Sequence, residues 1–557
     1  MNKEVKKSVK YFKRAFLQRF AYLGTNHKSI ILLTIPLVLS AFTHLWNLDG
    51  FPSIYRDEDH YMRRAMHILN GSGPQEGPDD PLSYRAHPYD HPYFGQFFLA
   101  GALAIIGYPD SLNSSSDIKS IETLYTVPRV LIGLLAVVDT FLLYKISERL
   151  YNRKNIALIA SILFAVMPLT WILRRIWLEP IQLPFFLLSI LLALYLKGPI
   201  NNKKNILLIF LSGISLGTAI FTKIPVFTMI PLVGFLIYTN SKRSNSYNNT
   251  NTNTNTNIYR WIRLRNLGLW FIPVILIPLL WPAYAISRGE FYEWLDGIFW
   301  QAGERENNGA FRSINTLIKM DPVLIALTFA GLVYAAIKRD FIIFLWIIPF
   351  TIFLFVVGYV SYWHLIPLFP AFCILVAKLI GDLSSKINNK KIQKIAPYII
   401  ISGIGLFGLL TTIMLITMNV TSFHYEVEAF LAKQIQDMNF TTNNKVTVLA
   451  TNYWLWLPMY VFDENHDNYY KNFYAKGQIK TDKILFVAGE NFIRTMVRDN
   501  KTRENMKELK MLYDKSKILT TIEEKDFSSI YPDRYPYNAI SNLDPKASKR
   551  ILFKANY

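Results

Sequence analysis

Residues 54–97 read IYRDEDHYMRRAMHILNGSGPQEGPDDPLSYRAHPYDHPYFGQF, and the rest of the chain is organised around this stretch. Three consecutive carboxylates, Asp57, Glu58 and Asp59, follow directly on the first long apolar segment, so they sit at the edge of a membrane rather than on an open soluble surface. Charge kept at such a place is costly and points to function. The competing reading is purely local: a solvated helix start whose acids favour the N-terminal dipole of the run that follows.

Hydrophobic residues make up 51% and aromatic residues 15% of the 557 residues, and apolar runs recur from Ile30 to Met418. That composition and pattern define a polytopic α-helical membrane protein followed by a soluble tail. Residues 1–28 form a basic arm without a small-residue cleavage site after the apolar segment near Ser29–Trp46, so the segment stays as an anchor and the N-terminus lies in the cytoplasm. The single cysteine, Cys373, lies in an apolar run, which excludes an intrachain disulfide and a cysteine-based metal site. The net charge of +20 does not indicate a nucleic-acid partner. Its excess lies in the arm and in alternate loops at residues 145–154, 197–204, 242–265, 338–339 and 386–394, the distribution expected of topogenic charge.

The run Tyr93–Gly107 holds only 15 residues, short for a span. If it crossed, the basic loop at 145–154 would fall outside, so it reads as a helix lying in the outer interface. Counting then alternates through 127–144, 156–172, 181–196, 206–222, 225–238 and 267–286. After a polar external loop, Ser287 to Asp321, it continues through 322–337, 341–359, 362–380 and 397–418. With the first segment this gives about 11 transmembrane helices and an external C-terminus. The membrane domain covers 29–419, with its first external loop at 48–126. Residues 240–258 contain SNSYNNTNTNTNTN, a low-complexity tract expected to be a disordered cytoplasmic loop. From 420 to 557 a helix pattern in YEVEAFLAKQIQDM and strand patterns in KVTVLA, DKILFVAG and KILTTI describe a small external α/β domain. Trp454 and Trp456 there suit either sugar stacking or core packing.

This topology gathers one set of residues on the external face: the triplet at 57–59, His87, His91, Arg129, Arg174, Arg175, Glu179, Lys223 and His364. Acids and cations from separate segments at one surface suit an anionic lipid-linked substrate whose phosphate needs cations while its reacting partner needs a base. Each residue also has a bland reading. Arg129 and Lys223 can act as interfacial anchors, and Glu179 can pair with Arg174 or Arg175 over one helical turn. In HPYDHPY a proline follows each of His87 and His91, which favours a rigid turn with exposed rings over a preformed metal site.

IYRDEDHY followed by HPYDHPYFGQFFLAGALAIIGYP resembles the Asp-Glu motif and the His-Pro segment of GT-C glycosyltransferases, the protein O-mannosyltransferases and lipid A aminoarabinose transferases. TVPRVLIGLLAVVDTFLLYKISERLY, LRRIWLEPIQLPFFLLSILLALYL, FTKIPVF and YWHLIPLFPAFCILVA follow in that family's order. The resemblance implies inverting transfer of a sugar from a polyprenyl- or dolichyl-phosphate carrier to an acceptor hydroxyl of a protein, glycan or lipid at the external face. It implies Asp57 as catalytic base with Glu58 and Glu179 organising the site, and Arg129 and Lys223 on the donor phosphate. His91, Arg174, Tyr362 and His364 complete the substrate-binding set. No cofactor is required by this chemistry, although a divalent metal ion bridging carboxylates and phosphate is compatible with it. A bacterial or archaeal plasma membrane fits the Asn/Lys/Ile bias. Two alternatives stay open: a lipid or ion transporter, disfavoured by the absence of an internal repeat, and an oligosaccharyltransferase-like enzyme, whose WWDYG-type signature is missing.

Overall fold

The computed structural model describes residues 31–75, 88–108, 117–196, 203–241, 256–304, 309–441, 447–450, 469–471, 484–489, 510–523 and 550–556. The Asn/Thr tract at 242–255, His87, Trp454 and Trp456 lie outside the described residues. The order begins with helices α1 (Ile31–Leu45), α2 (Arg56–Leu69), α3 (Phe94–Ile105), α4 (Ile118–Tyr151) and α5 (Lys154–Val166). A 3₁₀ turn at Pro168–Arg174 leads into α6 (Leu178–Tyr195) and α7 (Lys203–Thr222), and a second at Ile224–Met229 leads into α8 (Ile230–Asn240). Then come α9 (Thr256–Leu276), α10 (Leu280–Arg288), α11 (Phe291–Phe299), a π turn at Trp300–Glu304, α12 (Ala310–Met320), α13 (Pro322–Ile337) and α14 (Phe341–Val357). A 3₁₀ turn at Tyr362–Leu368 precedes α15 (Phe369–Ser385), α16 (Lys390–Ile416) and α17 (Ser422–Thr441).

Among the described residues six helices are long and apolar enough to cross a membrane, or eight if each of two bent pairs is one span. The longest is α4, with 34 residues; at 1.5 Å per residue it runs about 51 Å, against a hydrocarbon core of about 30 Å. Asp117 starts it by accepting from Lys119 N at 3.2 Å, and Asn152 in the left-handed conformation ends it. The span expected at 156–172 is bent by 65° between α5 and the turn that opens with Pro168, because proline at that point cannot donate to the preceding turn. Helices approach closely where side chains are small or polar. Ser189 and Ser212 exchange bonds, each hydroxyl donating to the other's carbonyl at 2.9 Å, to join α6 to α7.

Two sequence expectations change. The segment read as a polar external loop, Ser287–Asp321, holds α11, the π turn and α12. Its apolar residues recur at helical spacing, as at Phe291, Trp294 and Ile298, so a segment polar in composition is still amphipathic in pattern. The C-terminal part holds the expected helix α17 and the expected strands β1 (Thr447–Ala450), β3 (Ile484–Gly489) and β4 (Lys517–Glu523), and in addition β2 (Tyr469–Lys471) and β5 (Arg550–Asn556). The sheet order is β2-β1-β3-β5-β4. β1 runs parallel to β2 and β3, whereas β5 lies antiparallel between β3 and β4. One sheet face packs on α17 through Phe430 and Phe553, whose ring centroids are 4.6 Å apart. Through that face Val448, Leu485 and Phe553 join the same apolar core as the long helices.

Gly133 marks the tightest approach of α1 to α4: a Cβ there would lie 2.6 Å from the His44 carbonyl oxygen, whereas one at Gly101 meets open space. Gly133→Val should therefore destabilise the purified protein by about 1–3 kcal/mol and lower its thermal midpoint in detergent, while Gly101→Ala leaves the midpoint unchanged.

Candidate active site

The chain between α1 and α2 is a turn enclosed at Leu48 and from Gly50 to Pro52, and enclosed carbonyls need donors. Three buried arginines supply them. Arg174 donates to Trp46 O, Arg129 Nη1 to Leu48 O at 3.0 Å, and Arg175 Nη1 to Ser53 O at 2.5 Å. Glu58 completes the arrangement from the first turn of α2. Its carboxylate, fully enclosed, lies 3.3 Å from Arg129 Nη2 and 3.5 Å from Arg175 Nη1. It also accepts from Ile176 N at 3.0 Å and from Tyr55 N at 2.7 Å, the second bond capping α2. Asp59 is buried beside it. Asp57 differs from both: it is half-buried and, among the described residues, carries no hydrogen bond or ion pair.

Glu179 opens α6 and is buried. Its Oε1 pairs with Lys223 Nζ and lies 4.0 Å from His364 Nε2, while Oε2 has no hydrogen-bond partner among the described residues. Gln182, one turn along α6, donates to Ala219 O at 2.8 Å and to Lys223 O, so the backbone at Lys223 is held from the same helix as its counter-ion. Asp57 is near enough to Glu179 for its charge to act there. Aromatic side chains bind the three segments together. Tyr55 meets Trp177 edge-on at 5.6 Å and Trp363 at 5.5 Å, and Trp177 meets Trp363 at 5.0 Å and Tyr362 at 6.3 Å.

A third group stands on the His-Pro turn. Asp90 is buried, 2.7 Å from Arg64 Nη1, 3.6 Å from His60 Nε2 and 4.0 Å from His91 Nε2. Burial alone would raise its carboxyl, but the Arg64 guanidinium, with the two histidines, outweighs that and holds Asp90 well below the usual carboxylate range. Glu290 holds the turn from the other side, accepting from the Tyr89 hydroxyl. Asp90, His91, Lys223, Gln301, Tyr359 and His364 are the polar lining of a cavity of about 520 Å³ whose remaining wall is largely apolar, formed by Ile220, Phe227, Leu279, Phe353 and others.

The structure thus brings together Asp57, Glu58, Glu179, Lys223, Tyr362 and His364, with His91 on the cavity wall. Four readings of single residues change. Arg129, expected at a donor phosphate, is enclosed and spent on Glu58 and Leu48 O. Arg174, expected to touch substrate, faces Trp46 O and the Phe51 ring at 5.3 Å. Glu179 pairs with Lys223 rather than with an arginine one turn away. The His91 ring is not exposed: its side chain is 12% accessible beside Asp90. Sequence reasoning passed over Asp90 and Arg64. The signal was present in HPYDHPY, where an acid stands between two histidines, and in the second of two adjacent arginines on the helix that carries the triplet.

Among the described residues no group of three or more histidine, cysteine or carboxylate side chains is placed to hold a metal ion. Glu58 is the group whose loss the rest of the site should feel most. Glu58→Gln leaves two buried guanidiniums without their counter-charge, a change that typically costs about 3–5 kcal/mol. The thermal midpoint of the purified variant should fall accordingly, with Asp57→Asn as a control that leaves it unchanged.

Residues 85–284 match the family model described as dolichyl-phosphate-mannose-protein mannosyltransferase. No curated protein matches the chain in sequence. Among solved structures the fold is similar to ArnT from Cupriavidus metallidurans bound to undecaprenyl phosphate, at 13% identity and a TM-score of 0.54, covering 95% of this chain and 98% of that one. The apo state of the same ArnT gives 12% identity and 0.54 over 96% and 98%. The archaeal oligosaccharyltransferase AglB from Archaeoglobus fulgidus, in complex with an inhibitory peptide and a dolichol-phosphate, gives 11% and 0.50 over 89% and 73%. The chain thus carries a segment similar to the mannosyltransferase family at residues 85–284 and shares its fold along its length with ArnT.

Proposed function

We propose that this protein is a membrane glycosyltransferase of the GT-C type that moves a sugar from a polyprenyl-phosphate carrier to an acceptor hydroxyl, with inversion at the anomeric carbon and Asp57 as the base. The observation that carries the assignment is the contrast within the triplet. Glu58 is consumed by two arginines, whereas Asp57 is half-buried, unpaired among the described residues and beside Glu179. The acceptor oxygen attacks the anomeric carbon and its proton passes to the Asp57 carboxylate. The bond from that carbon to the phosphate oxygen breaks, and its electron pair leaves on the lipid phosphate. A phosphate leaving group needs cations more than a general acid. Lys223, steered by Glu179 and flanked by His364 and His91 at the cavity wall, is the cation we assign to it. The largely apolar remainder of the cavity suits the first units of a polyprenyl tail. The family description names a dolichyl-phosphate sugar, and the ArnT and AglB structures hold undecaprenyl phosphate and dolichol-phosphate, which supports the same donor class here.

The membrane arrangement we propose has eleven spans. Six long helices, two bent pairs and three of the four shorter apolar helices reach that number, leaving Phe94–Ile105 in the outer interface. The N-terminus is then cytoplasmic and the C-terminal α/β domain external, in a prokaryotic plasma membrane. Charge bias in the loops supports this orientation.

Two experiments test these proposals. With purified protein, a defined polyprenyl-phosphate sugar and product detection by mass spectrometry, Asp57→Asn should cut turnover by about 10²- to 10⁴-fold while donor binding is retained; near-normal turnover would remove Asp57 from the mechanism. In intact cells a tag at Asn251 should be protected and a tag after Tyr557 accessible from outside. Finding both on the same side rules out the eleven-span arrangement.

A further inference from the structure

The turn that delivers Asp57 is held from two sides, and only one of them has been described: Arg174, Arg129 and Arg175 take the carbonyls of Trp46, Leu48 and Ser53. The two carbonyls between Leu48 and Ser53 that point the other way, those of Gly50 and Pro52, are taken by the link between α16 and α17. Val420 N donates to Gly50 O at 2.8 Å, and the Thr421 hydroxyl lies 2.9 Å from both Gly50 O and Pro52 O. Asn47 returns the contact, its Nδ2 donating to Ile416 O at 2.7 Å and to Met418 O at 2.8 Å. Asn47, with φ of 52°, holds the left-handed conformation that makes this reach possible.

We propose that Thr421 is a positioning residue for Asp57, and that the C-terminal α/β domain thereby sets the geometry of the catalytic turn. The inference rests on the assignment of Asp57 as base. Three observations support it. Thr421 is fully buried, so its hydroxyl serves the turn and not solvent. Pro52 lies five residues before Asp57 in the sequence, so a shift of its carbonyl moves the start of α2 directly. Lastly, α17 begins at the residue after Thr421 and is fixed to the membrane bundle near the triplet. Buried Glu428 on α17 accepts from the Tyr125 hydroxyl of α4 at 3.4 Å, with His424 Nε2 at 3.1 Å. Because that helix shares one apolar core with the sheet and with the long helices, the domain cannot move without pulling on the turn.

Small displacements of a catalytic group cost rate far more than they cost binding. Thr421→Val, which keeps the shape and removes the hydroxyl, should lower kcat about tenfold with donor affinity unchanged, and Thr421→Ser, which restores the hydroxyl, should recover most of it. Tyr125→Phe releases α17 from the other side and should lower kcat in the same sense by a smaller factor, which keeps the test open if the valine variant fails to fold. Wild-type kcat in both Thr421→Val and Tyr125→Phe overturns the proposal, as does an equal loss of donor affinity and kcat that serine does not rescue. Asp57→Asn is assayed alongside: normal turnover there defeats the base assignment itself, whereas an inactive Asp57→Asn with fully active Thr421→Val and Tyr125→Phe defeats only the positioning role.

Discussion

A single enclosed carboxylate, that of Glu58, holds this site in place. It faces Arg129 and Arg175 with all three side chains out of reach of solvent, caps its own helix through Tyr55 N and ties in the segment before α6 through Ile176 N. Removing a carboxylate and two guanidiniums from water is costly, and only paired charge with its remaining hydrogen bonds satisfied offsets that cost. The arginines meet the second condition in part: they donate to carbonyls of the turn before α2, while Arg129 Nε has no partner among the described residues. One charge cluster therefore fixes the helix start, the turn and the segment leading into α6 together. The aromatic contacts among Tyr55, Trp177 and Trp363 close the same gap with apolar surface.

With that cluster in place, neighbouring carboxylates take different roles although they are alike in chemistry. Glu58 is neutralised and immobile. Glu179 is matched to Lys223, a pairing that holds the lysine at the cavity while leaving one carboxylate oxygen without a partner among the described residues. Asp90 is tied to Arg64 and fixes the two histidines on either side of it. Asp57 carries no ion pair or hydrogen bond among the described residues, which is why the base role is proposed for it. The opposite end of the bundle carries ion pairs of another kind. Asp340 pairs with Lys378, and Asp382 with Arg153, joining the starts of α5 and α14 to α15 near the basic loops.

The C-terminal part is more closely built into the molecule than an appended domain would be. Its helix α17 lies against α4, its sheet shares the apolar core of the long helices, and its first residues bond to the turn ahead of Asp57. The strand at the centre of the antiparallel half, β5, comes from the last residues of the described chain. Closing that sheet therefore requires nearly the whole tail to be present before its apolar face can cover α17.

The sequence by itself determined the membrane character, the approximate position of nearly every long helix and three of the five strands among the described residues, and it singled out the Asp57–Asp59 triplet. These follow from local quantities: runs of apolar residues, their spacing, and charge placed where charge is costly. It also carried the family resemblance, through short motifs in order. Only the tertiary structure decided which charge answers which. Glu58 finds Arg129 at a separation of 71 residues and Ile176 at 118, Glu179 finds Lys223 at 44, and Thr421 finds Gly50 at 371. A buried ion announces in sequence that it needs a partner, but the partner's identity depends on how helices pack. That is why Arg129 and Arg174, cations at the right surface, read as a phosphate ligand and a substrate-binding residue before packing enclosed them.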